Sequence, residues 1–234
     1  MKQKTKMKNL ALILARKNSK RLKKKNLLKI GGFTLVERAI RSAINSKKFH
    51  KILVSSDDEK ILALKQKYKN VTFEKRKRNL AGDKIKVIKV VIDIISRNRN
   101  YHSVALLQTT CPFRTGKDIN NAFHIFKRNY LNTIAICEYD FPPEFAIFTK
   151  GDYFTPGSKS PLLRNQTRSQ DFKKLFRPNG AIYLALTKNI FKKKNFYSTK
   201  MNAYIMTREN SIDIDTKLDY EVAKRVYEQN KKYR

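Results

Sequence analysis

Apolar residues come along this chain in short unbroken runs, and between the runs they recur every three or four positions. The first run, residues 10–15 of "LALILARKNSKRLKKKNL", has no polar interruption, the mark of a strand buried on both faces of a parallel sheet. "FTLVERAIRSAINS" then places Leu35, Val36, Ala39, Ile40, Ala43 and Ile44 on one face of a helix. "KILVSSDDEKILALKQKY" reads as a strand ending at Ser55 and Ser56, with Ser56 or Asp57 capping the helix that follows. "KVIKVVIDIISRN" is a helix, "SVALLQTTCPFR" a strand broken at Pro112, "GKDINNAFHIFKRN" a helix and "NTIAICEY" a strand. Strands alternating with helices predict a doubly wound, mostly parallel sheet covered on both faces.

The rhythm changes between about 140 and 177, where prolines and aromatics replace the helical stripe. "PPEFAIFTKGDYFTP" predicts a hairpin turning at Lys150-Gly151-Asp152, an inserted arm suited to making a dimer. The α/β pattern resumes with strands at "NGAIYLALT" and "MNAYIMT" and a last helix from Thr216. There are no internal repeats, and no linker divides the chain, so 1–234 reads as a single domain.

Composition changes this picture little. The chain has 234 residues and 41% are hydrophobic, enough to fill one core. No apolar run approaches the roughly 18 residues of a membrane span. The basic start, "MKQKTKMKNL", leads into too short an apolar stretch for a signal peptide, so a cytoplasmic location is expected. Cys111 and Cys137 have no metal-like spacing and read as reduced, packed thiols. The 53 Lys and Arg against 19 Asp and Glu give a formal charge of +34, the usual footprint of a nucleic-acid binder. Yet the lysines are dispersed along the whole chain, so the charge reports solvation more than partners. Nucleic acid ranks as the alternative from another class.

Four clusters carry candidate chemistry. The loop after the first strand offers Arg16, Ser19, Lys20, Arg21 and Lys25 without a glycine. It is either a solvated basic loop or a polyphosphate cradle built from side chains. "LLQTTCPFRTG" presents Gln108 beyond a buried strand, with Arg114 placed to orient the turn by a salt bridge. In "FRPNGAIYL", Asn179-Gly180 marks either a plain turn or a close backbone approach to a ligand. In "NSIDIDTKLDY", the two-residue period of extended chain puts Asp213 and Asp215 on one side and Ile212 and Ile214 on the other. The paired carboxylates suit Mg²⁺, and Thr216 with Asp219 forms a capping box. A cationic loop plus a carboxylate pair suggests a nucleoside triphosphate and its Mg²⁺.

In their order and separation, "ILARKNSKRLKKKNL", "LLQTTCPFRTG", "FRPNGAIYL" and "SIDIDTKLDY" resemble the CMP-N-acetylneuraminate synthetases (acylneuraminate cytidylyltransferases) over essentially the whole chain. The resemblance implies a Rossmann-like sheet with an inserted, hairpin-containing dimerisation element. It implies an Mg²⁺-dependent homodimer that couples CTP to a nine-carbon 2-keto sugar acid, N-acetylneuraminate or a relative such as legionaminate, releasing pyrophosphate. Arg16, Ser19, Lys25 and Asn26 would then meet the CTP phosphates and Arg76 the nucleotide near its base. Gln108, Arg168 and Asn179 would meet the sugar, and Asp213 and Asp215 the metal. CMP-Kdo synthetase is the nearer alternative. Several positions depart from the family's pattern. Arg21 stands where a glycine is common and Cys111 where serine is usual. "KIKV" follows "LAGD", and "TRSQDF" shifts an expected cation to Arg168.

Overall fold

A computed structural model of the chain describes residues 7–157, 160–166 and 168–230. In chain order the strands and helices are β1 (Asn9–Ala15), β2 (Lys29–Ile30), β3 (Phe33–Thr34), α1 (Leu35–Ser46), β4 (Lys51–Ser56), α2 (Glu59–Leu62), β5 (Thr72–Lys75) and α3 (Val87–Ser96). They continue with β6 (Ser103–Leu106), α4 (Gly116–Asn129), β7 (Thr133–Glu138), β8 (Ile147–Lys150), β9 (Tyr153–Pro156), β10 (Phe176–Leu186), α5 (Thr187–Lys193), β11 (Asn202–Ile205) and α6 (Lys217–Gln229). Residues 1–6, on which part of the leader reading rests, lie outside the described residues. Among the described residues, no helix is long and apolar enough to cross a membrane.

Seven strands form the central sheet in the order β11-β7-β10-β6-β1-β4-β5. The pairings are parallel throughout except those of β10, which runs antiparallel to both β6 and β7. The apolar run of β1 divides by the period of two. Leu10 and Leu12 join Val90, Val91, Ile94 and Ile95 of α3 on one face. Ala11, Ile13 and Ala15 join the buried faces of α1 and α4 on the other. With both faces covered, each fully buried Leu or Ile contributes about 1.5–3 kcal/mol, which is why β1 carries no polar residue after Asn9.

The helix starts follow local rules. Thr34, Thr115 and Thr216 each close a capping box, with Glu37, Asp118 and Asp219 respectively. The short helix α2 is capped by Asp58 and not by Ser56 or Asp57. Ser56 Oγ instead accepts from the Asp58 amide, while Asp57 reaches the Lys17 amide at 2.7 Å in the loop after β1. Glu37 has a heavier role than a cap. Its buried carboxylate also accepts from Lys67 Nζ at 2.7 Å and from Tyr68 Oη at 3.1 Å. Burial alone would raise its pKa, but hydrogen bonds from Lys67 and Thr34 outweigh burial and hold it at about 2, below the ordinary 4.5. A lowered carboxyl pKa contributes stability above the unfolded value and loses it as pH falls. Glu37→Gln is therefore expected to cost about 1–3 kcal/mol at neutral pH. The difference from the parent chain, read by urea melts, should shrink between pH 4.5 and about 2.

The predicted hairpin is present: among the described residues β8 and β9 pair only with each other, turning at Gly151 and Asp152. Phe148, Tyr153 and Phe154 on it are exposed, while Phe145 at its base packs on Phe141 and Phe172. Both cysteines are free and buried. Burial pushes the Cys111 thiol up to about 12, so it is not poised as a nucleophile.

Candidate functional site

Strand β1 pairs with β4 on one side and β6 on the other, and its following connection leads to β4. The loops after β1 and β6 therefore part from one another, leaving the crevice that open α/β sheets use for ligands. A cleft of about 570 Å³ occupies it. Of the residues singled out in the sequence, Arg16, Ser19, Lys25, Asn26, Arg76, Gln108, Asp213 and Asp215 all line this cleft.

The cationic loop is held open by its own neighbours. Lys24 takes a left-handed conformation, φ 53°, which costs a non-glycine residue roughly 1–2 kcal/mol. It starts the single turn Lys25–Leu27. Asn26 is buried there, and both ends of its amide are committed: Nδ2 donates to the Arg16 carbonyl at 2.8 Å and Oδ1 accepts from Thr109 Oγ1 at 2.6 Å. Asn26 thus ties the loop after β1 to the turn after β6. The cations face two carboxylates. Asp83 takes Arg16 at 2.6 Å and Lys20 at 3.1 Å, and Asp215 takes Arg21 at 2.6 Å and Lys25 at 2.7 Å. Arg21, where a glycine was the common pattern, spends its side chain on this second pair. Asp83 carried no signal beyond being a lone acid in a basic stretch.

The other wall is built by β10. Because β10 is antiparallel, with Tyr183 opposite Leu106, its earlier residues lie past the C-terminal end of β6. A register shift between Pro178 and Tyr183 accompanies Gly180, at φ +79°. A Cβ there would sit 3.0 Å from Gln108 Oε1 and 3.4 Å from Cys111 Sγ. The close backbone approach is thus to the Gln108 side chain. Arg114 fixes the same turn from beneath. It forms no salt bridge among the described residues; its Nη1 donates to the Gln108 and Ala181 carbonyls at 2.9 and 2.8 Å.

Asp213 and Asp215 arrive on the segment before α6. The Ile214 amide donates to the Thr110 carbonyl at 2.9 Å, and Ile214 is fully buried, so the flanking carboxylates turn to the cleft as the period of two predicts. Asp213 Oδ1 is buried with no hydrogen-bond partner. Burial raises its pKa, a hydrogen bond from Thr110 opposes the rise, Asp215 adds to it, and Lys25 and Arg177 oppose it. Arg177 is a cation that sequence reasoning passed over; it lies two residues ahead of the Asn-Gly pair. An orphaned carboxylate oxygen beside a second carboxylate is a set of hard donors that fits Mg²⁺, which binds through one or two carboxylates plus phosphates and water. Among the described residues no group of three or more His, Cys, Asp or Glu is placed to hold a metal ion, so phosphate and water would complete the coordination.

Arg76, pulled down in pKa by burial and supported by Asp57, donates to the Ser55 carbonyl at 2.8 Å. It forms the opposite end of the cleft with Leu80, Gly82, Ile85 and Val87. Two sequence candidates fall outside the lining. Asn179 is buried, and its amide is used internally, donating to Ser211 Oγ at 2.8 Å and accepting from the Ala181 amide at 3.0 Å. Arg168 is exposed and approaches Asp171 at 3.8 Å.

A family model described as "Cytidylyltransferase" matches residues 10–234. An N-acylneuraminate cytidylyltransferase of Escherichia coli is 31% identical over 92% of the chain, which spans about half (51%) of that relative's length. A pseudaminic acid cytidylyltransferase of Campylobacter jejuni is 30% identical over 96% of the chain and 98% of its own length. A solved CMP:2-keto-3-deoxy-manno-octonic acid synthetase, complexed with CTP, superposes with a TM-score of 0.67 at 14% identity, covering 95% of this chain and 99% of the other. At that identity the likeness is one of fold.

Proposed function

Because the chain belongs to the cytidylyltransferase family, we propose that it couples CTP to a nine-carbon 2-keto sugar acid, giving the CMP-sugar and pyrophosphate. The observation that carries the reading is Asp213, with a buried, unpartnered oxygen, set beside Asp215 and the loop cations in the cleft that also holds Gln108. The names of the full-length and half-length relatives point to the same class of sugar.

In this reading Arg16, Ser19 and Lys25 take the triphosphate, its oxygens replacing Asp83 and Asp215 as partners of the cations. Asn26 holds the loop in place for them. Arg76 and the apolar residues around it receive the nucleoside, and Gln108 presents its amide to the sugar acid. Asp213 and Asp215 hold Mg²⁺, which when bound supplies positive charge against the phosphates. The sugar's anomeric hydroxyl attacks the α-phosphorus in line and pyrophosphate leaves. The loop cations take up the charge that grows on the leaving group, an electrostatic contribution of roughly 3–4 kcal/mol per well-placed donor. No covalent intermediate is needed, consistent with the inert Cys111.

Pyrophosphate release with CTP and Mg²⁺ tests the reading, comparing N-acetylneuraminate, legionaminate, pseudaminate and Kdo with a no-sugar control. Release with a nine-carbon acid is expected, whereas release with Kdo alone would transfer the chain to the alternative. Lys25→Ala is expected to weaken CTP about 10- to 100-fold, as loss of a charge-assisted phosphate contact does. Unchanged affinity by calorimetry would remove the loop from the CTP site. The exposed aromatics of the β8–β9 hairpin are assigned to a homodimer contact. Light scattering at micromolar concentration should report a dimer, and Phe148→Asp should shift it toward monomer.

A further inference from the structure

On the far side of the Gln108 turn lies a second, smaller pocket of about 230 Å³, walled by α1 and the start of α4 and reached by Arg38, Arg41 and Arg114. None of its lining residues is acidic. None of the three arginines has an ion pair among the described residues, in a chain whose other basic loop is matched by Asp83 and Asp215. Arg38 spends Nε on the Pro112 carbonyl and Nη1 on the Ile30 carbonyl, and its Nη2 has no acceptor among the described residues. Arg41 makes no hydrogen bond among the described residues and rests on the Phe33 ring at 3.9 Å. Arg114 is 3% exposed, and its Nη2 is buried without a partner. The acids nearest in sequence are bonded elsewhere: Glu37, next to Arg38, to Thr34, Lys67 and Tyr68, and Asp118, four residues after Arg114, to Thr115 and Tyr204.

Guanidinium groups gathered around one pocket with no ion-pair partner among the described residues repel one another. Burial, with Arg41 alongside, already draws the Arg38 pKa down against the opposing pull of Tyr227. Planar forks of this kind match oxyanions bidentately, and the first amides of α4 add the positive end of a 14-residue helix.

We propose that the pocket between α1 and α4 is a second anion site, in which Arg38, Arg41 and Arg114 bind a phosphate-class oxyanion, free phosphate or pyrophosphate. Arg114 holds the Gln108 carbonyl through Nη1, so an anion drawn to its other amino group has a direct mechanical route to the cleft. That link rests on the reading that Gln108 meets the sugar; occupancy of the pocket does not.

Calorimetric titration of inorganic phosphate decides the matter without turnover. It would be run on the parent chain, Arg41→Ala, Lys25→Ala, the Lys25→Ala/Arg41→Ala double variant and a Lys127→Ala control. Arg41 and Lys127 are both exposed, so these variants keep the fold, as thermal melts would verify. A phosphate site that survives Lys25→Ala and weakens at least tenfold in the double variant is expected. Loss of all binding in Lys25→Ala would assign it to the triphosphate cleft and overturn the proposal. So would an effect of Arg41→Ala below twofold, or one equalled by Lys127→Ala. Pyrophosphate titrated in parallel separates the two sources, the tighter binder being the occupant. Acetate binding as tightly as phosphate would refute the assigned class.

Discussion

Asp215→Ala is expected to lower pyrophosphate release on the order of 10³-fold, about 4 kcal/mol of transition-state stabilisation, while the chain stays folded. The carboxylate has two sets of partners in conflict. It neutralises Arg21 and Lys25, at 2.6 and 2.7 Å. In the proposed ternary complex it turns to Mg²⁺ and leaves those cations to the phosphates. Removing it should therefore separate binding from turnover. Without Mg²⁺, CTP affinity should hold or improve, because a competitor for Lys25 has gone; with Mg²⁺, turnover should collapse. If CTP binding in metal-free buffer fell together with activity, Asp215 would be shaping the loop and the metal role would fail. Turnover within tenfold of the parent chain would defeat the assignment outright.

Asp213→Asn should have the opposite effects on stability and activity. Its buried Oδ1 has no partner, and burial outweighs the hydrogen bond from Thr110 and the nearby cations, so the charged form carries part of its desolvation cost into the folded state. The near-isosteric neutral amide relieves that cost. The metal-free protein is expected to gain about 0.5–2 kcal/mol, the usual range for relieving a functional strain. That gain raises Tm by roughly 2–4 °C per kcal/mol at this size. Turnover should fall at least about 100-fold with the loss of a charged oxygen donor. A lower melting temperature would mean that Asp213 is already well paired in the resting protein.

The parts of this molecule that were legible in the sequence are those decided locally. The run of β1, the face of α1 apart from Ile44, which is exposed, the helix α4 and the Thr216–Asp219 box depend on residues within a few positions of each other, and all are present. The alternation of Ile212, Asp213, Ile214 and Asp215 was readable because a single buried isoleucine fixes the side of its neighbours. Where several local solutions competed, distant contacts chose. Of the consecutive residues Ser56, Asp57 and Asp58, the cap fell to Asp58, with Asp57 occupied by the loop after β1. The antiparallel direction of β10 leaves no trace in its own apolar pattern. For the same reason Gly180's closeness to Gln108 was invisible, as were the partners that keep Asn179 inside, Ser211 and Met206. Helix α5 is short and lysine-rich and shows no stripe long enough to read. The cleft's cations were evident in the sequence, but not their pairing with Asp83 and Asp215, since ion pairs across a cleft obey no periodicity.

The position of β10 also bears on how such a chain is made. It fills the slot between β6 and β7, yet it follows both in sequence, separated from β7 by the hairpin segment. During synthesis β6 must therefore wait with one unpaired edge, and β7 with two, until residues 176–186 emerge. Unpaired strand edges invite pairing with other chains. The β6-β1-β4-β5 part of the sheet cannot be joined to β7 before β10 has been made, and the Gln108 wall of the cleft is assembled only at that step.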